Sequence, residues 1–500
     1  MKIRHSILAL PCLLAVPFAA KAQNFEDALR FSMLSTGSTA RSVGIGGAAG
    51  SLGADFSAAS VNPAGMAIYR QSELTFTPYL RINNASSDYI DQTDVKESNT
   101  ALKLGNLGMV FNNNLGKKSG WKNYTVAVGF NKLADFNTKT IYQGLNRESS
   151  FTELMAYDAQ NYGVNEENSP LGFLGYNGYL LTDQSDGLRS IPYNNIIRNG
   201  GALLQTKYAQ AKGAVNDFNF SIAGNYDDKL MVGGAIGLTT YRFHRTTEFI
   251  EADNTGNRNN DFDYFSLTEK LQTTGVGIVG KFGMIYAVNP YFRIGASVHT
   301  PTYASLTDYV DYELISETEQ FGNGKQTIVP DNIYRSDYSI TSPMKAVLSA
   351  TGFFGTKGFI TADAEYIPYN TMRINYQGVG GASAARMQND YIKENFRGVI
   401  NGRIGVELRA NSVFSVRAGG AYYANPYKEG RNDLGGDRVD LSLGFGYKLG
   451  RNAFLDLTYM NSSYAYKEVP YSFNAPGINF YSATTNMSRH MVAATIGLRF

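Results

Sequence analysis

Few residues in this sequence have the types and spacing needed for chemistry. Gly44-Ile45-Gly46-Gly47-Ala48-Ala49 matches the glycine pattern of a dinucleotide-binding turn, but no strand, turn and helix unit surrounds it. The histidines beyond residue 22 are far apart, and none has the spacing of a zinc site; they are His244, His299 and His490. The nucleophile motif G-x-S-x-G is also missing. We therefore expect a protein that is not an enzyme and that uses no cofactor or metal.

A second candidate is the tetrapeptide Asn62-Pro63-Ala64-Gly65, which lies near the end of a Gly- and Ala-rich stretch running from Ser42 to Arg70. Asn and Pro favour turns, and Gly permits a positive φ, so an ordinary turn is one interpretation. The stretch is too broken for a long helix and too rich in small residues for a good strand. Its function depends on the elements that follow it.

The N-terminal residues 1–22 have the features of a secretory signal peptide. Lys2 and Arg4 precede the apolar run from Ile7 to Phe18, and Ala20-Lys21-Ala22 is a suitable cleavage site. Removing its three basic residues leaves 42 basic against 43 acidic residues, which argues against a nucleic-acid partner. The single cysteine, Cys12, lies within this leader, so the mature chain uses no disulfide.

Strand-like alternation dominates the mature sequence. Within Val439–Leu449 every second residue is apolar, and the residues between them are Asp440, Ser442, Gly444, Gly446 and Lys448. A soluble sandwich also alternates, but its polar face carries long solvated charges. Here the second face is small and polar, and aromatic residues border the apolar face, as in a transmembrane β-barrel. We predict an all-β fold, a transmembrane antiparallel β-barrel with the apolar face towards lipid.

Fourteen alternating segments can be counted, and the joins between them are alternately short and long. Bacterial outer-membrane barrels have an even number of strands, short periplasmic turns and longer extracellular loops. The terminal Phe500 resembles the signal that barrel-insertion machinery reads. We therefore divide the chain into a signal peptide (1–22), an N-terminal hatch inside the lumen (23–71) and the barrel with its long extracellular loops (72–500). The predicted strands are 72–83, 102–113, 121–133, 213–226, 229–243, 264–288, 291–312, 336–354, 358–369, 397–410, 412–424, 438–449, 452–465 and 488–500.

This arrangement resembles the FadL family of outer-membrane transporters for long-chain fatty acids and other hydrophobic compounds. The features that carry the resemblance are the small-residue stretch with Asn62-Pro63-Ala64-Gly65, its position before a fourteen-stranded barrel, and the C-terminal ending. The resemblance implies that these four residues shape a hatch. It also implies passive uptake of a hydrophobic small molecule through capture by extracellular loops, hatch movement and lateral diffusion into the membrane. A plain porin, a receptor for another nutrient such as haem, and a barrel hydrolase are the alternatives.

The predicted loop 134–212 contains a candidate ligand groove. Ser150-Phe151-Thr152-Glu153 fits a capping box that starts a helix with Leu154 and Met155. A second helix is predicted over Ala202–Gly213, with Leu203, Leu204 and Tyr208. These residues form either an extracellular groove or a lid with its own small core.

Charged residues on the inward faces of the predicted strands have nearly balanced signs, so we expect most of them to pair across strands or to hold the hatch. The expected partners are the hydrophobic ligand, outer-membrane lipid and lipopolysaccharide, and the barrel-insertion machinery. We expect a monomer. The inward charges are Lys281, Arg293, Lys345, Asp363, Glu365, Arg403, Glu407, Arg409, Arg417, Asp440, Lys448 and Asp456.

Overall fold

A computed structural model describes residues 24–35, 38–116, 120–184, 187–319, 324–378, 380–430, 434–473 and 480–500. The predicted signal peptide, residues 1–22, lies outside these ranges and remains a prediction.

Fourteen antiparallel strands form a closed barrel, as the sequence predicts. Each strand pairs with the next along the chain, and the last pairs with the first from Glu73↔Arg499 to Asp88↔Thr484. The strands are β1 (Glu73–Tyr89), β2 (Gln92–Asn114), β3 (Trp121–Asp135, continued by Thr138–Asn146), β4 (Leu203–Tyr226), β5 (Leu230–Asp253), β6 (Tyr264–Asn289), β7 (Phe292–His299 and Tyr303–Glu317), β8 (Tyr334–Thr341 and Lys345–Phe353), β9 (Gly358–Pro368 and Arg373–Tyr376), β10 (Gly398–Arg409), β11 (Phe414–Tyr423), β12 (Arg438–Leu449), β13 (Ala453–Glu468) and β14 (Ala483–Arg499).

Outward-facing side chains in the lower half of the barrel, the half with the short turns, are apolar. Leu441, Leu443 and Phe445 of β12 are 62%, 59% and 52% exposed, whereas Asp440 and Ser442 between them are 7% and 5% exposed. The polar face therefore points into the lumen, and the apolar face points out. We call this band the apolar belt. Its height of about five alternate residues corresponds to about 25 Å of hydrocarbon for tilted strands.

Above the apolar belt several strands continue much further than the sequence predicts. β1 and β2 meet at a tight turn at Ile90-Asp91, within a range predicted as a long loop over 84–101. Both faces of these upper segments are polar, so no apolar alternation marks them as strands. The barrel wall therefore projects well beyond the membrane on the side of the long loops.

The helix predicted over Ala202–Gly213 is wrong. This segment is the upper part of β4, with ladder pairs to β3 on one side and β5 on the other, including Leu203↔Asn146 and Leu203↔Asp253. Hydrogen bonding to two neighbouring strands outweighs the weak local preference for a helix.

Three neighbouring strands, β7, β8 and β9, are interrupted at prolines 301, 343 and 368, respectively. Proline cannot donate a ladder hydrogen bond. Between β7 and β8 the Thr302 N–H donates instead to Ser342 Oγ at 2.8 Å, and the Ser342 N–H donates to the Thr302 carbonyl at 3.0 Å. Side-chain hydroxyls thus keep the wall closed at this level.

Residues 24–71 precede β1, and we call them the lumen segment. The segment contains the helices α1 (Asn24–Ser32), α2 (Ala40–Gly44) and α3 (Ala58–Val61), followed by a 3-10 helix over Pro63–Ile68. Most of its residues from Ser38 to Tyr69 are buried, and they contact the inward-facing side chains of the barrel strands.

The upper end of the barrel carries three further helices between β3 and β4, namely α4 (Phe151–Tyr162), α5 (Pro170–Asn177) and α6 (Ile191–Asn195), together with a hairpin over Leu181–Gln184 and Gly187–Ser190. Helix α7 (Gly381–Asn395) follows β9, and its Tyr391 ring lies 4.2 Å from that of Phe25 in α1. Of the helices within the described ranges, none is both long and apolar enough to cross a membrane.

Candidate functional site

Asn62 joins the lumen segment to the barrel wall. Its side-chain oxygen accepts the N–H of Ala64 at 3.1 Å and so caps the 3-10 helix that Pro63 begins. Its amide nitrogen donates to the Gly50 carbonyl at 2.7 Å and to the Met284 carbonyl of β6 at 3.2 Å. The tetrapeptide is therefore more than a turn, because one side chain organises the segment and anchors it.

Glycines make room for this motif. A Cβ at Gly233 of β5 would lie 2.6 Å from the backbone of Pro63, and one at Gly283 of β6 would overlap the amide oxygen of Asn62. Gly65 packs directly on Gly53, whose φ of +67° favours glycine. These positions show no motif in the sequence, because the residues that need the space are far away along the chain.

Polar contacts fix the rest of the lumen segment. The Asp363 carboxylate of β9 accepts the Gly50 N–H at 3.1 Å, and the Ser51 hydroxyl lies 2.8 Å from that of Thr351 in β8. Arg41 lies 3.5 Å from Glu407 of β10. Residues 44–49, which match the glycine pattern of a dinucleotide-binding turn, thus belong to a buried segment that is hydrogen-bonded to barrel strands.

Several of the inward charges pair across strands or hold the lumen segment, as the sequence predicts for most of them. Arg403 lies 3.0 Å from Glu365, and Arg417 lies 2.8 Å from Glu407 and 2.6 Å from Asp456. The first two pairs join neighbouring strands within the lumen, and the third joins β11 to β13 across β12.

Lys281, His299 and Lys345 form one inward-facing row, because His299 is the ladder partner of both lysines. Lys281 is paired with Asp217 at 2.5 Å, and the His299 ring lies 3.0 Å from the Val61 carbonyl through its Nε2. Lys345 is only 8% exposed, and no described residue gives it a hydrogen bond or an ion pair. This row lines a cavity of about 40 Å³, which has room for about one water molecule.

Helix α1 fills the lumen above this cavity. Leu29 and Phe31 belong to a buried apolar cluster that includes Tyr241 and Phe243 of β5, with the Phe31 and Tyr241 rings 5.4 Å apart. The middle of the lumen is therefore apolar, and helix α1 of the chain itself occupies it. The other barrel-strand members of this cluster are Leu133, Val215, Leu271, Ala304, Leu306, Tyr338, Ile340, Ile367, Ile374 and Val399.

Strand β3 leaves the barrel wall above Asn131. β2 pairs with β3 only from Asn106↔Asn131 down to Asn114↔Asn123; in the described part of both strands, no ladder joins them above this point. Tyr79 and Arg81 of β1 point inward, and they reach Asp135 of β3 at 2.8 Å and 3.6 Å. β3 therefore bends behind β1, and its continuation reaches the end of the β1–β2 hairpin, where the Leu145 N–H donates to Asp91 at 3.0 Å. Between these points no ladder joins the described residues of β2 to β3, and we call this break in the wall the lateral window.

The lateral window faces the apolar belt on its outer side. Leu102 of β2, at its edge, is 73% exposed. On its inner side lies the lumen segment, where the Ser35 N–H donates to the Leu133 carbonyl at 2.8 Å and the Ser38 hydroxyl donates to Asn131 at 2.6 Å. The same chain segment therefore fills the lumen and covers the window from within.

The sequence did not reveal the window, because strand 3 was predicted to end at 133. The signal is present as Asp135-Phe136-Asn137, where the alternation breaks before it resumes over Thr138–Asn146. Phe136 belongs to the site, since its ring lies 5.8 Å from that of Phe31.

The residues proposed for an extracellular groove do not come together as one surface. The capping box of Ser150 and Glu153 is present and begins α4. Met155 and Leu203 are fully buried in one apolar cluster with Leu154 packed against it, as in a lid with its own core. Leu204 is half-buried, and Tyr208 is 43% exposed on the outer face of β4.

A larger depression of about 700 Å³ lies beside the upper parts of β13, β14, β1 and β2. Most of the side chains around it are polar, including Asn84, Ser98, Asn486 and Ser488.

The three histidines lie in separate places, consistent with their spacing in the sequence. His299 points into the lumen, His244 points outward from β5, and the Nδ1 of His490 lies 2.7 Å from the Tyr459 hydroxyl on the outer surface. Within the described ranges, no group of three or more His, Cys, Asp and Glu residues could hold a metal ion.

No protein-family model and no curated protein matches the sequence. Among solved structures, the chain is similar to a FadL homologue from Pseudomonas aeruginosa, with a TM-score of 0.55 and 12% identity over 94% of this chain and 100% of that one. It is similar to the toluene transporter TodX of P. putida, with a TM-score of 0.53 and 12% identity over 93% of this chain and 99% of that one. At this level of identity the likeness shows the fold, and the fold that the FadL resemblance implied is confirmed.

Proposed function

We propose that this chain, which has the fold of FadL-type channels, is a bacterial outer-membrane channel for passive uptake of hydrophobic small molecules, with long-chain fatty acids as substrates. The observation that carries the proposal is the lateral window, which lies between the apolar lumen and the apolar belt. A water-filled porin has no use for such an opening, because its solutes pass along the barrel axis.

The described conformation is closed. The cavity below α1 has room for only about one water molecule, and the lumen segment covers the window from the inside. A ligand therefore has to displace α1 and the residues around Ser35 and Ser38 before it can leave sideways. Movement of the lumen segment gives it the role of the hatch, with Asn62 to Gly65 as its anchored end.

The driving force is the burial of apolar surface at each step. An acyl chain gains about 0.8 kcal/mol for every CH₂ that leaves water. In the lumen it would replace Leu29 and Phe31 of α1 against Tyr241, Phe243 and their neighbours. From there the window leads to the hydrocarbon of the membrane without a return to water.

Lys345 supports a substrate with an acidic head. The charge of Glu365 acts on the Lys345 ammonium, but Glu365 is paired with Arg403 at 3.0 Å and makes no ion pair with Lys345. The carboxylate of a ligand beside Lys345 would therefore give this ammonium a direct partner. Because Lys345 lies beside the cavity below α1, a fatty acid could place its head there and its tail in the apolar cluster. A neutral hydrocarbon has no group that could form an ion pair with Lys345.

The test is to lock the lumen segment over the window. The hydroxyl of Ser38 and the amide oxygen of Asn131 are 2.6 Å apart, so the variant Ser38→Cys/Asn131→Cys brings two thiols together in a mature chain that has no other cysteine. Cells that depend on this protein for uptake of labelled oleate should take it up about tenfold more slowly when the pair is oxidised. Reduction should restore the rate.

The matched control is Ser87→Cys/Thr485→Cys, which links ladder partners of β1 and β14 whose hydroxyls are already 3.0 Å apart and which make no contact with the described residues of the lumen segment. This disulfide should leave uptake unchanged. Unchanged uptake by the oxidised Ser38–Asn131 pair would contradict exit through the window.

A further inference from the structure

The outer face of the barrel is not uniform just above the apolar belt. On β13, β14 and β1 it is uncharged, with Asn84, Ser86, Asn461, Ser463, Asn486 and Ser488. On β3, β4 and β5 it carries four cations, Lys132, Lys139, Lys212 and Arg242, which we call the basic patch.

The strand register places these cations next to one another. Lys139 pairs with Gln210, which points to the same face as Lys212 two residues further along β4. Lys212 in turn pairs with His244, two residues from Arg242 on β5. Such diagonal neighbours are about 7–8 Å apart, so Lys139, Lys212 and Arg242 form an oblique row. Lys132 lies below it and donates to Asn216 at 3.3 Å.

The basic patch makes no ion pair in the described part of the chain, and the charge of Asp135 acts only on its lowest member, Lys132. None of its four cations lies within ion-pair distance of a described carboxylate, whereas nearby Lys270 lies 3.9 Å from Asp311. Like charges at this spacing repel, so the row is most stable when an external anion lies against it.

The height of the row indicates which anion that is. Leu238 of β5 is 56% exposed and belongs to the apolar belt, and Arg242 lies four residues above it on the same face. Four residues of a strand tilted by about 40° rise about 10 Å, which places Arg242 above the hydrocarbon, at the level of the lipid headgroups.

We propose that the basic patch binds the phosphate groups of an outer-leaflet lipid with a phosphorylated sugar headgroup, the lipid A part of lipopolysaccharide. The acyl chains of that lipid lie against the belt side chains below, such as Phe218 and Leu238, and its phosphates lie against Lys139, Lys212 and Arg242. The inference rests on the proposed outer-membrane location but not on the transported substrate.

The experiment measures binding of diphosphorylated lipid A to the purified full-length mature protein in detergent, by native mass spectrometry. Dephosphorylated lipid A and inorganic phosphate are the comparison ligands. The variant is Lys212→Gln/Arg242→Gln, and the control is Lys357→Gln/Arg451→Gln, which removes two exposed cations from the short turns at the opposite end of the barrel. Each cation near a membrane surface contributes about fivefold in affinity, so the patch variant should bind about 25-fold more weakly.

Support requires that the control variant bind diphosphorylated lipid A like the unmodified protein, and that the preference over dephosphorylated lipid A disappear in the patch variant. Equal binding by both variants would overturn the proposal. Inorganic phosphate that displaces the lipid at millimolar concentration would overturn it too, since the patch would then be a site for free phosphate. Oleate uptake measured on the same variants separates the two proposals, because the patch variant should transport normally.

Discussion

At the scale of single residues, Asn62 caps the 3-10 helix of the lumen segment and also anchors this segment to β6. The sequence indicates a turn with a structural role at Asn62-Pro63, and the structure shows its capping and anchoring bonds. The sequence could not indicate Gly233 and Gly283, which give it space, because the contact forms only when β5 and β6 lie against the lumen segment. Lys345 was predicted to face inward, but its lack of a partner depends on the positions of its neighbours.

Replacing Lys345 by methionine should separate substrates by charge. Loss of one charge-assisted hydrogen bond costs about 1.5–3 kcal/mol, so oleate binding should weaken at least about tenfold. Toluene binding should not change, and the unfolding midpoint should stay the same or rise, because the buried ammonium makes no ion pair and Glu365 keeps its pair with Arg403. Titration of the purified protein with both ligands checks this, and Lys448→Met at the lower rim is the control. Equal weakening for both ligands would show that Lys345 acts through the shape of the cavity.

At the scale of elements, the fourteen strands were predictable where the membrane imposes alternation. β12 has the predicted bounds of 438–449, because lipid on one side and the lumen on the other leave a strong pattern. The upper half of β2 and the helix α7 were missed, since water on the outside removes the apolar face. The break in β3 at Phe136-Asn137 was missed because it depends on contacts with β1.

Helix α4 provides an element whose stability should depend on pH. Burial raises the pKa of Glu153 from about 4.5 to about 7, and the nearby carboxylate of Glu251 adds to the rise, while its bond from the Ser150 N–H and the charge of Arg198 act against it. An acid whose pKa is raised on folding stabilises the fold fully below its unfolded pKa, and this contribution is lost as the pH rises through about 7.

Amide hydrogen exchange of Phe151–Tyr162, corrected for the intrinsic rate, should therefore show more protection at pH 5 than at pH 8. The Glu153→Gln variant should reduce this difference while the exchange of β12 stays the same in both proteins. Part of the difference should remain, because burial also raises the pKa of Glu251 to about 7 and its carboxylate accepts the Phe151 N–H at 3.1 Å. An undiminished pH dependence in the variant would assign it to Glu251 rather than to Glu153.

At the scale of the whole molecule, the barrel is a closed container rather than a pore. A wall of fourteen strands encloses more space than its own side chains fill, and residues 24–71 supply the missing volume. Strand number and the position of this segment before β1 could be inferred from the sequence. Its closed fit over the window could not, because it depends on Ser38 meeting Asn131 across the lumen.

Deleting residues 24–71 should turn the protein into a steady pore. In planar lipid bilayers the intact protein should show little or no steady conductance, and the deletion variant should show stable openings of uniform size. The heat-dependent mobility shift of folded barrels on gels confirms that the variant is folded. A folded deletion variant that stays non-conducting would mean that the helices α4 to α7 seal the barrel by themselves.

The upper half of β2 pairs with β1 along one edge, and no described strand pairs with its other edge. A bare row of backbone donors and acceptors is a template on which a strand from another molecule could add. The residues along this stretch include Asp94, Lys96, Glu97 and Lys103. An added strand would have to bring its own side chains against this mixture of charges. The charges along the lateral window therefore disfavour the addition of a strand from another molecule, which would close the break in the wall.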